Sequence, residues 1–187
     1  MNLIILGPQG SGKGTQAQLI AEKYHLNHIS TGALLREEAA TQSEKGKLIA
    51  DIQNKGDLVP FETVLEVLEP AMAKSTSGFI LDGTPRDIHQ AEYLSWYLDK
   101  AKRSIDLVLL LNIPKQESVK RLLNRAKIEH RPDDTPKAIE ERLEVYEHQT
   151  TPVIKYYQKL GILINIDGTP EIAEIFADIC THLDKIT

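Results

Sequence analysis

The sequence predicts an α/β fold in which helices cover both faces of a central five-stranded parallel sheet, three layers in all. Three observations carry that expectation. Short, continuously apolar runs recur along the chain, helical patterns separate them, and a glycine-rich turn directly follows the first run. Strands buried on both faces read as unbroken apolar stretches, and strand–helix alternation is the pattern of a doubly wound sheet. The first strand is LIIL (3–6), followed by the helical pattern TQAQLIAEKY (15–24). NHIS (27–30) is the second strand and the least apolar of the five. Helical patterns then occupy 31–53 and 61–74, the second opened by Pro60, a residue suited to a helix start because the first turn has no use for its missing N–H. FIL (79–81) and DLVLLLNI (106–113) are the third and fourth strands. PKQESVKRLLNRA (114–126) and TPKAIEERLEVYEHQTTPVIKYYQKL (135–160) are helical, ILINI (162–166) is the fifth strand, and PEIAEIFADICTHL (170–183) is a further helix. The helix-only interval 31–74 is longer than a simple crossover and predicts a small helical subdomain. The polar, proline-flanked KIEHRPDDTP (127–136) predicts a surface loop or short flap.

A chain of 187 residues is expected to form one domain, burying roughly 70% of its unfolded surface. The formal net charge of −5 argues against a basic surface for duplex nucleic acid. The single Cys180 excludes an internal disulfide and a cysteine-rich metal site, which fits a reducing compartment. LVLLLNI is too short to span a bilayer and is broken by Asn112. MNLIIL lacks the basic flank and cleavage site of a secretory leader. The expectation is a cytoplasmic protein with neither nucleic acid nor membrane as partner.

GPQGSGKGT, starting at Gly7, has the G-x-x-x-x-G-K spacing of a phosphate-binding loop, in the required place between strand and helix. Glycines 7, 10, 12 and 14 let several N–H groups turn toward one anion. Lys13 adds a mobile charge, and the following helix points its positive end at the same place. The position after the lysine, usually a Ser or Thr that touches magnesium, is Gly14, with Thr15 one place late. The loop alone says nucleotide, without saying where the γ-phosphate goes. The chain has seven arginines: 36, 86, 103, 121, 125, 131 and 142. Arg86 follows FILDGTP, just past the carboxyl end of a strand, where α/β sheets bind ligands. Arg36 follows STGALL at the opening of the inserted helical region, and Arg121 and Arg125 share a helix face at i, i+4. Arg131 lies in the flap and Arg142 on the next helix. Phosphoryl transfer between two mutually repelling polyphosphates needs cations on both sides of the migrating group, and a switch GTPase needs fewer. Asp82, ending FILD, stands where a carboxylate orients magnesium, directly or through its waters. Asp133 and Asp134 are candidate partners of the flap arginines, and Arg103 reads as a solvated residue outside the site.

Taken together, GPQGSGKGTQ (7–16), STGALLR (30–36), KGDLVP (55–60), GFILDGTPRDIHQAE (78–92), RLLNRA…HRPDD (121–134), IEERLEVY (139–146) and DGTP (167–170) resemble the adenylate kinase family of nucleoside monophosphate kinases, over essentially the whole chain. The resemblance implies a P-loop α/β/α core (1–29, 60–120 and 137–187), a helical monophosphate-binding insertion at 30–59, and a short lid at about 121–136 that has no room for a cysteine-bound zinc. It implies reversible, magnesium-dependent transfer of the ATP γ-phosphate to AMP, giving two ADP, by a monomer. Gly10, Ser11, Gly12, Lys13, Gly14 and Thr15 would hold the donor phosphates. Arg121 would stack on the donor adenine, with Gly168, Thr169 and Pro170 meeting it through backbone. Thr31, Gly32, Arg36, Val59, Gly83, Arg86 and Gln90 would bind AMP: Thr31 and Gln90 at the base, the two arginines at the phosphate. Arg125, Arg131 and Arg142 would surround the transferring group, with Lys13 and Arg86. Lys-Gly-Thr is the form that family shows, so magnesium would keep its water shell and be oriented through Asp82.

This sequence departs from the family pattern at Ala33, Phe61, Thr84 and His130. None of these removes a phosphate-binding cation; Thr84, between Gly83 and Arg86, bears on the shape of the acceptor pocket. Three other readings are a UMP/CMP kinase, which Thr31 and Gln90 argue against, a P-loop kinase for a non-nucleotide metabolite, which Gln90 and the inserted segment argue against, and a catalytically silent nucleotide-binding protein. The last should have lost Lys13, Asp82 or a phosphate arginine.

Overall fold

The computed structural model describes residues 1–55, 57–129 and 135–186. Five strands form one all-parallel sheet: β1 (Asn2–Leu6), β2 (Asn27–Ser30), β3 (Phe79–Asp82), β4 (Leu107–Asn112) and β5 (Leu163–Asp167), in the order β2-β3-β1-β4-β5. The helices are α1 (Lys13–Tyr24), α2 (Thr31–Ala40), α3 (Glu44–Lys55), α4 (Phe61–Lys74), α5 (Ile88–Lys100), α6 (Lys115–Glu129), α7 (Pro136–Val145), α8 (Thr151–Lys159) and α9 (Ile172–Leu183).

The apolar runs form strands because each side chain has a hydrophobic layer to enter. In β1, Leu3 and Ile5 join a core with Ala17 and Ile20 of α1 and Ile175 and Ile179 of α9. Ile4 and Leu6 point the other way, into a core with Leu68 of α4, Leu94 of α5 and Val153 of α8. β4 divides similarly, Val108 and Leu110 to one side and Leu107, Leu109 and Leu111 to the other. This period-two split is what continuous hydrophobicity means in a doubly covered sheet. β2 and β5 are the edges, and polar side chains interrupt them accordingly.

Several boundaries differ from the sequence expectation. α5 is absent from the expected helices, yet it buries the stripe Gln90, Ala91, Leu94 and Leu98. The 31–53 pattern is two helices, α2 and α3. The chain turns between them through Gln42 at φ 60°, and Ser43 Oγ accepts the Gly46 N–H at 2.9 Å. Residues 127–129, expected in the flap, belong to α6, and the remainder of that segment up to Asp134 lies outside the described residues.

The expected helix 135–160 contains a π-turn, Tyr146–Thr150, between α7 and α8. Pro152, at the start of α8, has no N–H to give and would crowd the carbonyl four residues earlier, and a wider turn relieves both problems.

The sheet register sets the site. Ser30 pairs with Asp82 and Asp82 with Ile5, so the carboxyl ends of β2, β3 and β1 finish level with one another. The loops that follow them open on one side of the sheet.

Candidate active site

The phosphate loop joins β1 to α1 with Gly7, Gly10 and Gly12 at φ 146°, 82° and 93°. Gly10 also has a packing reason: a Cβ there would stand 2.9 Å from Ser118 O of α6. Ser118, fully buried, donates its hydroxyl to Gln9 O, so α6 braces the loop from beneath. Lys13 Nζ donates to Gly7 O and Pro8 O at 2.8 Å each, arching over the loop. Ser11 Oγ is buried without a hydrogen-bond partner, and Ser11 is not part of the cleft lining.

An open cleft of about 760 Å³ runs from this loop across the sheet ends. Gly10, Gly12, Lys13, Gly14 and Thr15 line it, with Gly32, Arg36, Asp82, Gly83, Arg86, Arg121, Arg125 and Arg142. Among the described residues, six cations thus face the cleft against three carboxylates, Glu37, Asp57 and Asp82, in a chain whose formal net charge is −5. Such concentrated positive charge marks an anion site.

Each cation is set by its own element. Arg36 lies one helical turn beyond Gly32 in α2, and a Cβ on Gly32 would come within 3.2 Å of Arg36 Nη1. Arg86 donates from Nε to Gly83 O at 2.8 Å, and its own carbonyl accepts from Thr150 Oγ1 at 3.0 Å. The π-turn therefore pins the backbone of Arg86. Arg142 lies in the last turn of α7, which leads into that π-turn, and is buried. Burial pushes the Arg86 guanidinium below its ordinary value, as do neighbouring Arg142 and Arg36, while Asp82 opposes the shift. Clustered like charges of this kind call for an anionic ligand between them.

At Lys13, burial pulls the ammonium down to about 8, outweighing Asp82, with Arg86 and Arg125 adding to the fall. At Asp82, burial raises the carboxyl, but His28, Lys13 and Arg86 together hold it below the usual carboxylate range. His28 Nε2 lies 3.8 Å from Asp82 Oδ2, an ion-pair approach too long for a hydrogen bond. A Cβ at Gly14 would stand 3.4 Å from Asp82 Oδ2, so the missing side chain leaves room in front of the carboxylate. Among the described residues no cluster of three or more His, Cys, Asp or Glu could hold a metal directly.

At the α6 side of the cleft, Arg121 donates to Glu117 Oε1 at 2.8 Å, to Gly168 O at 3.0 Å and to Thr169 O at 3.3 Å. The structure thereby joins Arg121 to the 168–170 turn, although that turn is not part of the cleft lining. At the other end, Thr31, Val59 and Gln90 line a small cavity of about 40 Å³. It shares Gly32, Gln53, Asp57, Leu58, Gly83 and Arg86 with the main cleft and so forms its inner end. Arg131, Asp133, Asp134 and His130 lie outside the described residues. Arg103 is outside the site, as expected, but it is not a solvated residue. It donates to Met72 O and Asn2 Oδ1 and stacks on Phe79.

Sequence reasoning gave no role to His28, Ser118 or Thr150. His28 carries a readable signal, a titratable side chain two residues before the carboxyl end of a strand. Thr150 carries a weaker one, in the Thr-Thr-Pro that interrupts a helical pattern. Ser118 has none.

The family model described as adenylate kinase matches residues 5–162. The chain is 44% identical to an adenylate kinase of Prochlorococcus marinus over 185 residues, covering 98% of this chain and 97% of that one. It is 39% identical to an adenylate kinase of Methanothrix thermoacetophila, covering 99% of both chains. It is 38% identical to adenylate kinase isoenzyme 1 of Sus scrofa, covering 98% of this chain and 94% of that one.

Proposed function

The chain belongs to the adenylate kinase family, and on that premise we propose that it moves the γ-phosphoryl group of ATP to AMP along the cleft described above. The observation that carries the reading is the convergence of Lys13, Arg36, Arg86, Arg125 and Arg142 on one cleft, each from a different segment. The loop N–H groups and Lys13 hold the donor phosphates. Arg36 and Arg86 hold the acceptor phosphate. Arg125 and Arg142, with Arg131, stabilise charge spread over the group in flight. The chemistry asks the protein for positioning and charge stabilisation rather than covalent participation. Magnesium, bound with the donor, neutralises phosphate charge, and Asp82 is suited to hold it through its waters because it stays ionised with open space beside Gly14.

Arg121 and the 168–170 backbone take the donor base; Thr31, Val59 and Gln90 take the acceptor base. In this reading segment 30–59 is the monophosphate-binding part of the chain and the segment at about 121–136 is its short lid. No helix of the described residues is long and apolar enough to cross a membrane. One free cysteine fits the expected reducing, cytoplasmic location, and the resemblance to the short-lid form is what carries the expectation of a monomer. With ATP and magnesium, AMP should give ADP in a coupled assay at a higher kcat/KM than UMP or CMP. A higher value for either pyrimidine would overturn the acceptor assignment.

A further inference from the structure

The inner end of the cleft contains a buried hydroxyl pair whose chemistry goes beyond holding a base. Thr31 Oγ1 donates to Thr84 Oγ1 at 2.9 Å, with Thr31 and Thr84 only 3% and 2% exposed. A hydroxyl has one proton to give. With that proton on Thr84, Thr31 offers only lone pairs to the cavity that both residues line. Gln90 lines the same cavity, and its amide orientation is settled by the backbone. Arg86 N–H, which can only donate, is bonded to Gln90 Oε1 at 2.8 Å. With Oε1 already engaged there, Nε2 is the donor that Gln90 has to offer a base.

We infer that Thr84 is a positioning residue for base selectivity. By taking the Thr31 proton it leaves an acceptor at Thr31 beside the donor at Gln90, a pair that matches the amino edge of adenine and opposes the oxo edge of hypoxanthine. Adenine presents an amino N–H next to an unprotonated ring nitrogen. Hypoxanthine presents a carbonyl oxygen next to a ring N–H, so both contacts would pair like with like. Buried mismatches of this kind are rejected far more strongly than a difference in size. The inference rests on the acceptor-site assignment made above.

The test compares AMP with IMP as acceptor in wild type, Thr84→Val, Thr84→Ala, Thr84→Ser and Thr31→Val, with KM for ATP measured in each. Removing the Thr84 hydroxyl frees Thr31 to rotate and donate, so the ratio of kcat/KM for AMP over IMP should fall about tenfold in Thr84→Val and Thr84→Ala. Thr84→Ser should keep the wild-type ratio, and KM for ATP should stay within about twofold throughout. Thr84→Ala serves if the valine variant does not fold. A wild-type ratio in whichever of the two folds, or a KM for ATP that rises as much as that for AMP, overturns the role of Thr84. If Thr31→Val leaves AMP kinetics untouched, the acceptor base sits elsewhere and the site assignment falls with the inference. If Thr31→Val weakens AMP while the Thr84 variants keep the ratio, the role of Thr84 alone falls.

Discussion

Lys13 is held by its own loop, two carbonyls accepting from Nζ, and desolvation there lowers its pKa from 10.5 to about 8. The sign of the consequence follows from which form each state prefers. Between about 8 and 10.5 the unfolded chain keeps this proton and the folded one has lost it, so this group's contribution to stability rises with pH across that window. Activity moves the opposite way, because a neutral amine cannot bind donor phosphate. The free enzyme's kcat/KM for ATP should fall as pH passes about 8. kcat at saturating ATP should stay level to higher pH, since bound phosphate restores the charged form. A kcat/KM profile flat to pH 10 would show that Lys13 remains charged in the free enzyme. Among single residues, the most legible were those whose type and position already imply a job: the loop lysine, and arginines just past a strand or a motif. His28 and Thr84 were not legible as partners because their roles depend on neighbours distant in sequence. His28 meets Asp82 only through the pairing of β2 with β3. Thr84 stood out as a departure, but its bond to Thr31 spans 53 residues.

At the scale of elements, the phosphate loop and α6 form one unit, since the loop is wrapped closely enough that Ser118 reaches the Gln9 carbonyl. Gly10 and Gly12 both have φ values that disfavour a side chain, but only Gly10 faces backbone, with Ser118 O 2.9 Å from a would-be Cβ and nothing within 4 Å at Gly12. Both alanine variants should lose stability from backbone strain, about 1–3 kcal/mol. Gly10→Ala should lose more, because α6 must also move, and its KM for ATP should rise. Urea unfolding of the two variants side by side checks this, and equal losses would mean that α6 does not brace the loop. Element positions were legible wherever a pattern had no competitor. The central strands are apolar on both sides and could be little else. α5 was missed because exposed Trp96 and half-buried Tyr93 and Tyr97 lie among its core positions and blur the stripe. The break between α2 and α3 falls at Thr-Gln-Ser, without the glycine or proline that usually announces one. The π-turn depends on how a helix absorbs Pro152 while Thr150 reaches Arg86, a tertiary contact that no local pattern encodes.

For the whole molecule, the question is why cations carried by separate segments should face one another at all. Burying and crowding these charges is a cost the folded chain bears before any ligand arrives: burial is the first cause of the lowered values of Lys13 and Arg86, and neighbouring arginines add to it. Two polyphosphates placed end to end would relieve that cost along the full length of the cleft, whereas one nucleotide relieves only part of it. A ligand that binds only the folded state stabilises it by mass action, about 4 kcal/mol at a thousandfold excess over Kd. For a chain of this size that corresponds to a Tm rise of roughly 8–16 °C. Two adenosines joined by five phosphates occupy donor and acceptor positions at once and bring a long run of negative charge, so with magnesium they should raise Tm well beyond saturating ATP or AMP alone. Differential scanning calorimetry on the full chain measures each ligand separately and in combination. The excess should shrink as salt is added, because the interaction is largely between charges. If the linked dinucleotide shifts Tm no more than ATP does, the cleft holds a single nucleotide, and the acceptor-side arginines are serving something other than a second phosphate.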